Sequence, residues 1–278
     1  MPIRIAKADG TTQEFKREKL LNSLHRSGAD SATAEHIATD IEGELRSGIT
    51  TGEIYAKAFA HLRKHRRGVA ARYSLKRAIL DFGPSGFPFE SYLAEIFRAE
   101  GYTAKVDQMI QGSCVQHEVD VVLTRGGETV YVEAKFHNAA GFKTDLKTAL
   151  YVKARIDDIA AAGLPREEKR KKGLLVTNTK FTSHAVKYAT CQGLDLLGWE
   201  YPKGKTLQDR IEAAGVYPIT ALTTLNRREK TALLQERMVL CNSLGKHTDA
   251  LSRAGISGRR ADQALDEASI LCVPGGAV

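Results

Sequence analysis

Asp120, Glu133 and Lys135 have the residue types and the spacing of a metal-dependent site that cleaves phosphodiester bonds. The segments 117–122 and 131–135 both alternate polar and apolar residues, which is typical of β-strands with one buried face. The alternation places Asp120 on the polar face of the first strand, and Glu133 with Lys135 on that of the second. The short link between the strands contains two adjacent glycines and favours a hairpin turn. Pairing of the two strands would therefore bring Asp120 beside Glu133.

This constellation matches what phosphodiester hydrolysis requires. The reaction needs a cation that neutralises the scissile phosphate and lowers the pKa of the attacking water. Two carboxylates and a backbone carbonyl suit Mg²⁺, or Mn²⁺, because these hard cations take oxygen ligands. Asp120, Glu133 and the carbonyl of Ala134 are the predicted ligands, and Lys135 would orient the water or stabilise negative charge in the transition state. Strand charges on a solvated face are the structural alternative, since an Asp…Glu-x-Lys pattern also arises by chance.

The elements that must position these residues form the middle of a three-part chain. Residues 83–88 contain two prolines and two glycines, cannot continue a helix and predict a domain boundary. The predicted domains are residues 1–82, 84–200 and 206–272. The predicted fold class is α/β (α+β): a mostly helical N-terminal domain, a central mixed sheet flanked by helices, and a small helical C-terminal module.

Within the central domain, apolar periodicity predicts helices and strands in alternation. The expected helices cover about 88–100, 143–162 and 182–191. The expected strands cover about 103–109, 116–124, 129–136, 173–177 and 194–199. The charged run 166–172 is expected to be a surface loop.

The central block resembles the Mrr-like branch of the PD-(D/E)xK restriction-endonuclease-like superfamily. The resemblance rests on the following segments in this order along the chain: Gly86–Glu90, Gly101-Tyr102, Glu118–Asp120, Glu133–Lys135 and Leu175–Thr182. It implies that Asp120 and Glu133 are metal ligands and that Lys135 is the catalytic lysine. It also implies that Glu90, on the first helix of the domain, faces the same site.

The N-terminal domain resembles an ATP-cone, a nucleotide-binding regulatory domain. The matching residues include Ile5, Lys7, Lys19 and Thr51. The resemblance implies that ATP or dATP binds at these residues, with Lys7 and Lys19 reaching the phosphates. Two lysines near a glycine turn and a helix N-terminus are also a physically plausible phosphate cradle. The sequence contains no Walker A motif, so ATP hydrolysis is not expected. A cone that serves only in oligomerisation is the alternative.

The C-terminal module, from Pro218 to Ser257, loosely resembles tandem helix-hairpin-helix repeats. In such motifs a glycine turn presents backbone N–H groups to a phosphate. Arg259 and Arg260 follow the Gly255–Gly258 turn. A plain helical cap or a dimerisation element is the alternative interpretation.

Bulk properties agree with a nucleic-acid partner. The chain of 278 residues has a net charge of +8 and a pI of about 9.3, which favours a polyanionic ligand. Its four cysteines show no zinc-binding spacing, and the sequence has neither a signal peptide nor a stretch of about 20 apolar residues. We therefore expect a cytoplasmic protein with reduced thiols and no membrane partner, and a homo-oligomer because cones often self-associate.

Together these features predict a Mg²⁺-dependent DNA endonuclease regulated by ATP or dATP. Two alternatives stay open from the sequence. One is a non-catalytic, nucleotide-regulated DNA-binding protein in which the carboxylates are structural. The other is a nuclease that acts on RNA.

Overall fold

The computed structural model describes residues 3–163 and 170–273, which form two compact units. Unit 1 comprises Met1–Ile79 together with Tyr217–Val278, and unit 2 comprises Leu80–Val216. The C-terminal helices therefore share a unit with the N-terminal domain. The described residues include no helix that is both long enough and apolar enough to span a membrane.

The N-terminal part of unit 1 is a small hairpin followed by helices. Its elements are β1 (Arg4–Ala6), β2 (Thr12–Glu14), α1 (Arg17–Arg26), α2 (Ser31–Gly43), α3 (Thr51–His65), α4 (Arg67–Tyr73) and α5 (Leu75–Leu80). Leu24, Ile37, Ile41 and Leu62 lie in its core. Thr50 caps α3 in a capping box with Glu53, which fixes the start of this helix.

Unit 2 alternates helices and strands. Its elements are α6 (Phe87–Ala99), β3 (Thr103–Gln111), β4 (Gln116–Arg125), β5 (Glu128–Lys135), β6 (Lys143–Thr144), α7 (Leu146–Ala161), β7 (Arg170–Thr177), β8 (Lys180–Phe181), α8 (Ser183–Gln192), β9 (Asp195–Leu197) and α9 (Leu207–Ala214).

In the described part of unit 2, a five-stranded sheet has the order β3-β4-β5-β7-β9. The pairs β3–β4 and β4–β5 are antiparallel, whereas β5–β7 and β7–β9 are parallel. This confirms the predicted mixed sheet. The β4–β5 hairpin closes with Arg125 opposite Glu128, and Gly126 and Gly127 have φ angles of +60° and +83°. Two consecutive positive φ angles suit glycine and define the tight hairpin turn that the sequence predicted.

Two boundaries in unit 2 differ from the predictions. Helix α7 begins at Leu146 rather than at 143, because Lys143 and Thr144 pair with β8 as a short strand and Asp145 caps the helix. Arg170–Lys172, predicted as loop, belong to β7 and pair with β5. The other residues of the predicted loop, 166–169, lie outside the described residues.

The C-terminal part of unit 1 is helical, as predicted. It contains α10 (Arg227–Gln235), α11 (Thr248–Arg253) and α12 (Arg259–Leu271), and α12 packs against α4. The buried carboxylate of Glu267 accepts hydrogen bonds from the backbone N–H and the hydroxyl of both Thr223 and Thr224. Arg260, which follows the glycine turn, forms an ion pair with Glu229. Its guanidinium group is therefore engaged within the unit.

Candidate active site

Asp120 and Glu133 lie opposite each other just beyond the end of the β4–β5 pairing. The register ends with Val121 opposite Val132, so Asp120 and Glu133 are the next residues along the two strands and share a face. One carboxylate oxygen of Asp120 (Oδ2) accepts the backbone N–H of Ala134 at 2.6 Å. This hydrogen bond fixes the Asp120 side chain against the strand that carries Glu133 and Lys135.

The carboxylates at this point repel one another in a partly buried setting. Burial, and then the negative charge of Asp120, raise the pKa of Glu133 to about 7. Burial likewise raises the pKa of Asp120, although its bond from Ala134 acts in the opposite direction. Like charges held close together in a low-dielectric setting disfavour ionisation. A cation bound between these groups would relieve the repulsion.

Glu90, on α6, belongs to the same electrostatic cluster. Burial and the charges of Asp120 and Asp107 raise the pKa of Glu90 to about 7. The structure therefore places Glu90 near the predicted ligands, on the first helix of the domain.

Asp107 joins this cluster although its sequence context gave no signal. In the β3–β4 register, Val106 lies opposite Val121 and Gln108 opposite Val119, so Asp107 lies opposite Asp120. Its φ angle is +55°, a left-handed conformation that Asp tolerates better than most residues. Unusual backbone conformations of this kind are concentrated at functional sites.

Arg155 is a second residue that the sequence analysis missed. It projects from α7 and forms an ion pair with Glu133, while it also donates to the carbonyl of Glu118 at 2.9 Å. Its other terminal nitrogen donates to the hydroxyl of Tyr151, and its Nε is buried without a hydrogen-bond partner among the described residues. Arg155 thus supplies positive charge to the carboxylates from within the fold.

Replacing Arg155 with Met is expected to destabilise the protein in EDTA by about 2–4 kcal/mol, because it leaves the partly buried Glu133 without its cation. Mg²⁺ should restore much of the loss, since a bound cation would take over the neutralising role. Thermal melting of both proteins with Mg²⁺ and with EDTA measures this effect. Arg155→Lys, which keeps the charge, is the matched control and should lose less. An equal loss with and without Mg²⁺ would contradict the prediction.

Lys135 ends β5 opposite Thr177 and is exposed. Beyond it, the side chain of Asn178 binds both backbone groups of His137: its oxygen accepts from the N–H at 2.9 Å, and its amide donates to the carbonyl at 2.7 Å. The pKa of His137 is lowered by burial and by the charge of Lys135. Asn178 is almost completely buried, so it holds the end of β5 in place.

Asn178→Ala should therefore destabilise the protein by about 2–4 kcal/mol, because two backbone groups of His137 lose their partner. It should also slow any cleavage that depends on Lys135, whose position depends on the same strand end. Denaturant unfolding together with cleavage at a temperature where the variant remains folded tests both effects. Thr129→Val, at a buried position of β5 that is away from the site, serves as the control. If Asn178→Ala retained both wild-type stability and wild-type cleavage, Asn178 would have no positioning role.

The donor set fits a hard cation. Asp120, Glu133 and the Ala134 carbonyl offer oxygen atoms only, and their neighbours add further negative charge. Among the described residues, no group of three His, Cys, Asp or Glu side chains is arranged to hold a metal ion. A set of two carboxylates and a carbonyl does not require a third side chain, so the predicted ligands stay a prediction.

The predicted nucleotide residues lie at the hairpin end of unit 1. The Ala6 N–H donates to the carbonyl of Ile49 at 2.9 Å, which holds β1 beside the N-terminus of α3. Lys7 is the residue directly after β1, next to Ala6, and Thr51 is the first residue of α3. Lys7 and Lys19 are both exposed, whereas Ile5 is buried in the core.

Models of known families match three segments of the chain. Residues 84–200 match the restriction endonuclease family of the Mrr catalytic type, and residues 3–81 match the ATP cone domain. The chain therefore carries a nuclease domain of the restriction-endonuclease class and an ATP-cone domain, as the sequence predicted. Residues 217–272 match a third family, the AF1548-like C-terminal domain.

Two relatives match this chain over nearly all of their own length. An uncharacterized protein of Archaeoglobus fulgidus is 34% identical over 177 residues, which is 63% of this chain and 97% of that protein. The crystal structure of AF1548, a protein of unknown function, is 32% identical with a TM-score of 0.56 and covers 69% of this chain and 100% of that chain. The chain thus belongs to the AF1548-like family. The structure of the MspJI restriction endonuclease in complex with a 27-mer oligonucleotide is 15% identical, with a TM-score of 0.28, and covers 84% of this chain and 47% of that chain.

Proposed function

We propose that the protein is a Mg²⁺-dependent DNA endonuclease whose cleavage is regulated by ATP or dATP bound to the cone. The observation that carries the proposal is the position of Asp120 and Glu133 at the end of the β4–β5 pairing, with Lys135 two residues further along the same face. The match of this domain to the restriction endonuclease family supports it. The net charge of +8 favours nucleic acid as the substrate.

The residues of the site divide the work between binding and positioning. Mg²⁺, when bound by Asp120, Glu133 and the Ala134 carbonyl, would supply charge that neutralises the scissile phosphate. Lys135 would orient the attacking water or stabilise the developing negative charge from the exposed end of β5. The N–H of Ala134 keeps Asp120 in place, and Arg155 balances Glu133.

The nucleotide would act from unit 1, through Lys7 after β1, Thr51 at the start of α3 and Lys19 on α1. A regulatory effect requires two states of the protein that the nucleotide binds with different affinity. In this proposal, ATP or dATP changes the cleavage rate without being hydrolysed.

Cleavage of supercoiled and linear DNA tests the proposal, with Mg²⁺ or EDTA and with ATP, dATP or neither. Metal-dependent cutting would support the nuclease assignment, and a difference between the nucleotide conditions that disappears in Lys7→Ala/Lys19→Ala would support regulation. Lys64→Ala, also an exposed lysine of unit 1, is the matched control. Equal rates in all nucleotide conditions would exclude regulation.

The two alternatives give different results in the same assay. Cutting of RNA but not DNA would identify an RNA nuclease. DNA binding without cutting in any condition would favour the non-catalytic DNA-binding protein.

A further inference from the structure

A cavity of about 390 Å³ lies within unit 1, between α4 and α12. Val69 and Ile270 contribute to a wall that is mostly apolar, and Gln263 adds an amide. A Cβ atom at Gly68 would come within 2.9 Å of Ile270, so glycine allows the two helices to approach closely here. The cavity is within the size range of small-molecule sites, which begins at about 300 Å³.

One wall of this cavity holds a buried cation without a counter-ion. Arg72 lines the cavity and is only 9% exposed. One terminal nitrogen donates to the carbonyl of Ile270 at 3.2 Å, whereas its Nε is buried and has no hydrogen-bond partner among the described residues. No ion pair of Arg72 occurs in the described part of the chain. The Ile270 carbonyl lies in the last turn of α12, where the negative end of the helix offsets part of the charge of Arg72, and an anion in the cavity would offset the rest.

The acidic residues that line the cavity do not fill this role. The carboxylate oxygens of Glu267 already accept four hydrogen bonds from Thr223 and Thr224. Asp266 is exposed to solvent. Arg66 and Arg67, both exposed, add two more positive charges to the lining. The lining therefore combines an apolar wall with three arginines and only two acidic residues.

We propose that this cavity binds a small organic phosphate, with the phosphate at Arg72 and the organic body against Val69 and Ile270. A phosphate monoester carries about two negative charges and matches several guanidinium groups better than a single carboxylate does. The site is separate from the predicted nucleotide residues at β1 and α3, and it includes α12 from the C-terminal module. Binding there would join the two sequence-distant halves of unit 1.

Calorimetric titration of the full chain tests this proposal with AMP, glucose 6-phosphate, inorganic phosphate and adenosine. The titrations are made in the Lys7→Ala/Lys19→Ala background, so that the predicted cone site does not contribute. We expect at least one of the two organic phosphates to bind and adenosine not to bind. AMP alone would identify a nucleotide as the source, and glucose 6-phosphate alone a sugar phosphate.

Two variants locate the binding. Arg72→Gln should weaken it about tenfold or more, because charge-assisted hydrogen bonds to the phosphate are lost. Ile270→Trp, at a residue that is 58% exposed, should block the cavity without removing charge. Arg228→Gln, an exposed arginine of α10, should bind as the background does. The proposal fails if neither organic phosphate binds, if inorganic phosphate binds as tightly as both, or if Ile270→Trp binds normally.

Discussion

Glu133→Gln is expected to lower Mg²⁺-dependent DNA cleavage by about a thousandfold or more, because it removes one of the two predicted carboxylate ligands and weakens the charge that holds the cation. The amide is nearly isosteric with the carboxylate, so β5 should keep its pairing with β4 and β7. The raised pKa of Glu133 indicates that the folded protein disfavours its ionised form. Because the substitution also leaves Arg155 without its ion-pair partner, part of the stability should be lost as well, so cleavage is compared at a temperature where the variant remains folded.

The measurement is the cleavage rate at saturating DNA over a Mg²⁺ titration, with circular dichroism to establish folding. Glu128→Gln is the matched control, since it makes the same chemical change at the other end of β5, where Glu128 pairs with Lys172. Its cleavage rate should remain within about threefold of wild type, as is usual for changes away from a site. Comparable cleavage by Glu133→Gln and wild type would remove Glu133 from the catalytic centre.

The central hairpin could be predicted because its signals are local. Period-two alternation assigns the faces of β4 and β5, and the Gly126-Gly127 turn sets their register. Once the register is known, Asp120 and Glu133 must meet. The family resemblance then added Glu90, which no local pattern would have connected with residues 30 to 43 positions further along the chain.

Arg155 was missed because its contact with Glu133 spans 22 positions and crosses from a helix to the sheet. A signal was nevertheless present. Val152 and Ile159 are buried residues of α7, and Arg155 lies three positions after one and four before the other, on the same stripe. A charged residue on an apolar stripe calls for a buried partner, and Glu133 is that partner.

The extent of β7 could not be predicted from composition. Arg170, Lys171 and Lys172 have the charge of a surface loop. They nevertheless form a strand, because they pair with the edge of β5 and because Glu128 forms an ion pair with Lys172. The association of α12 with α4 is likewise invisible in the sequence, since almost 200 residues separate Arg72 from its partner Ile270. Tertiary pairing overrides local preference at both places.

Lys135→Ala should reduce the cleavage rate about 10²- to 10³-fold while Mg²⁺ binding is retained. Lys135 is not a predicted ligand, and it would act on charge that develops in the transition state, so its loss should lower kcat more than it raises KM. The exposed position of Lys135 at the end of β5 makes a folding defect small. This separation of metal binding from catalysis distinguishes Lys135 from Glu133.

Lys143→Ala is the control, because Lys143 is also an exposed lysine of unit 2 in a strand that follows the site closely in sequence. If Lys143 contributes only to binding of the DNA backbone, its removal should raise KM, less so at high salt, and leave kcat nearly unchanged. Lys135→Arg adds a second discrimination, since arginine keeps the charge but changes the geometry of the donors. Partial activity in Lys135→Arg would assign an electrostatic role, and activity as low as that of Lys135→Ala would assign a role that depends on the position of a single ammonium group. A kcat for Lys135→Ala equal to that of wild type would exclude both roles and return the pattern of Asp120, Glu133 and Lys135 to a coincidence of strand charges.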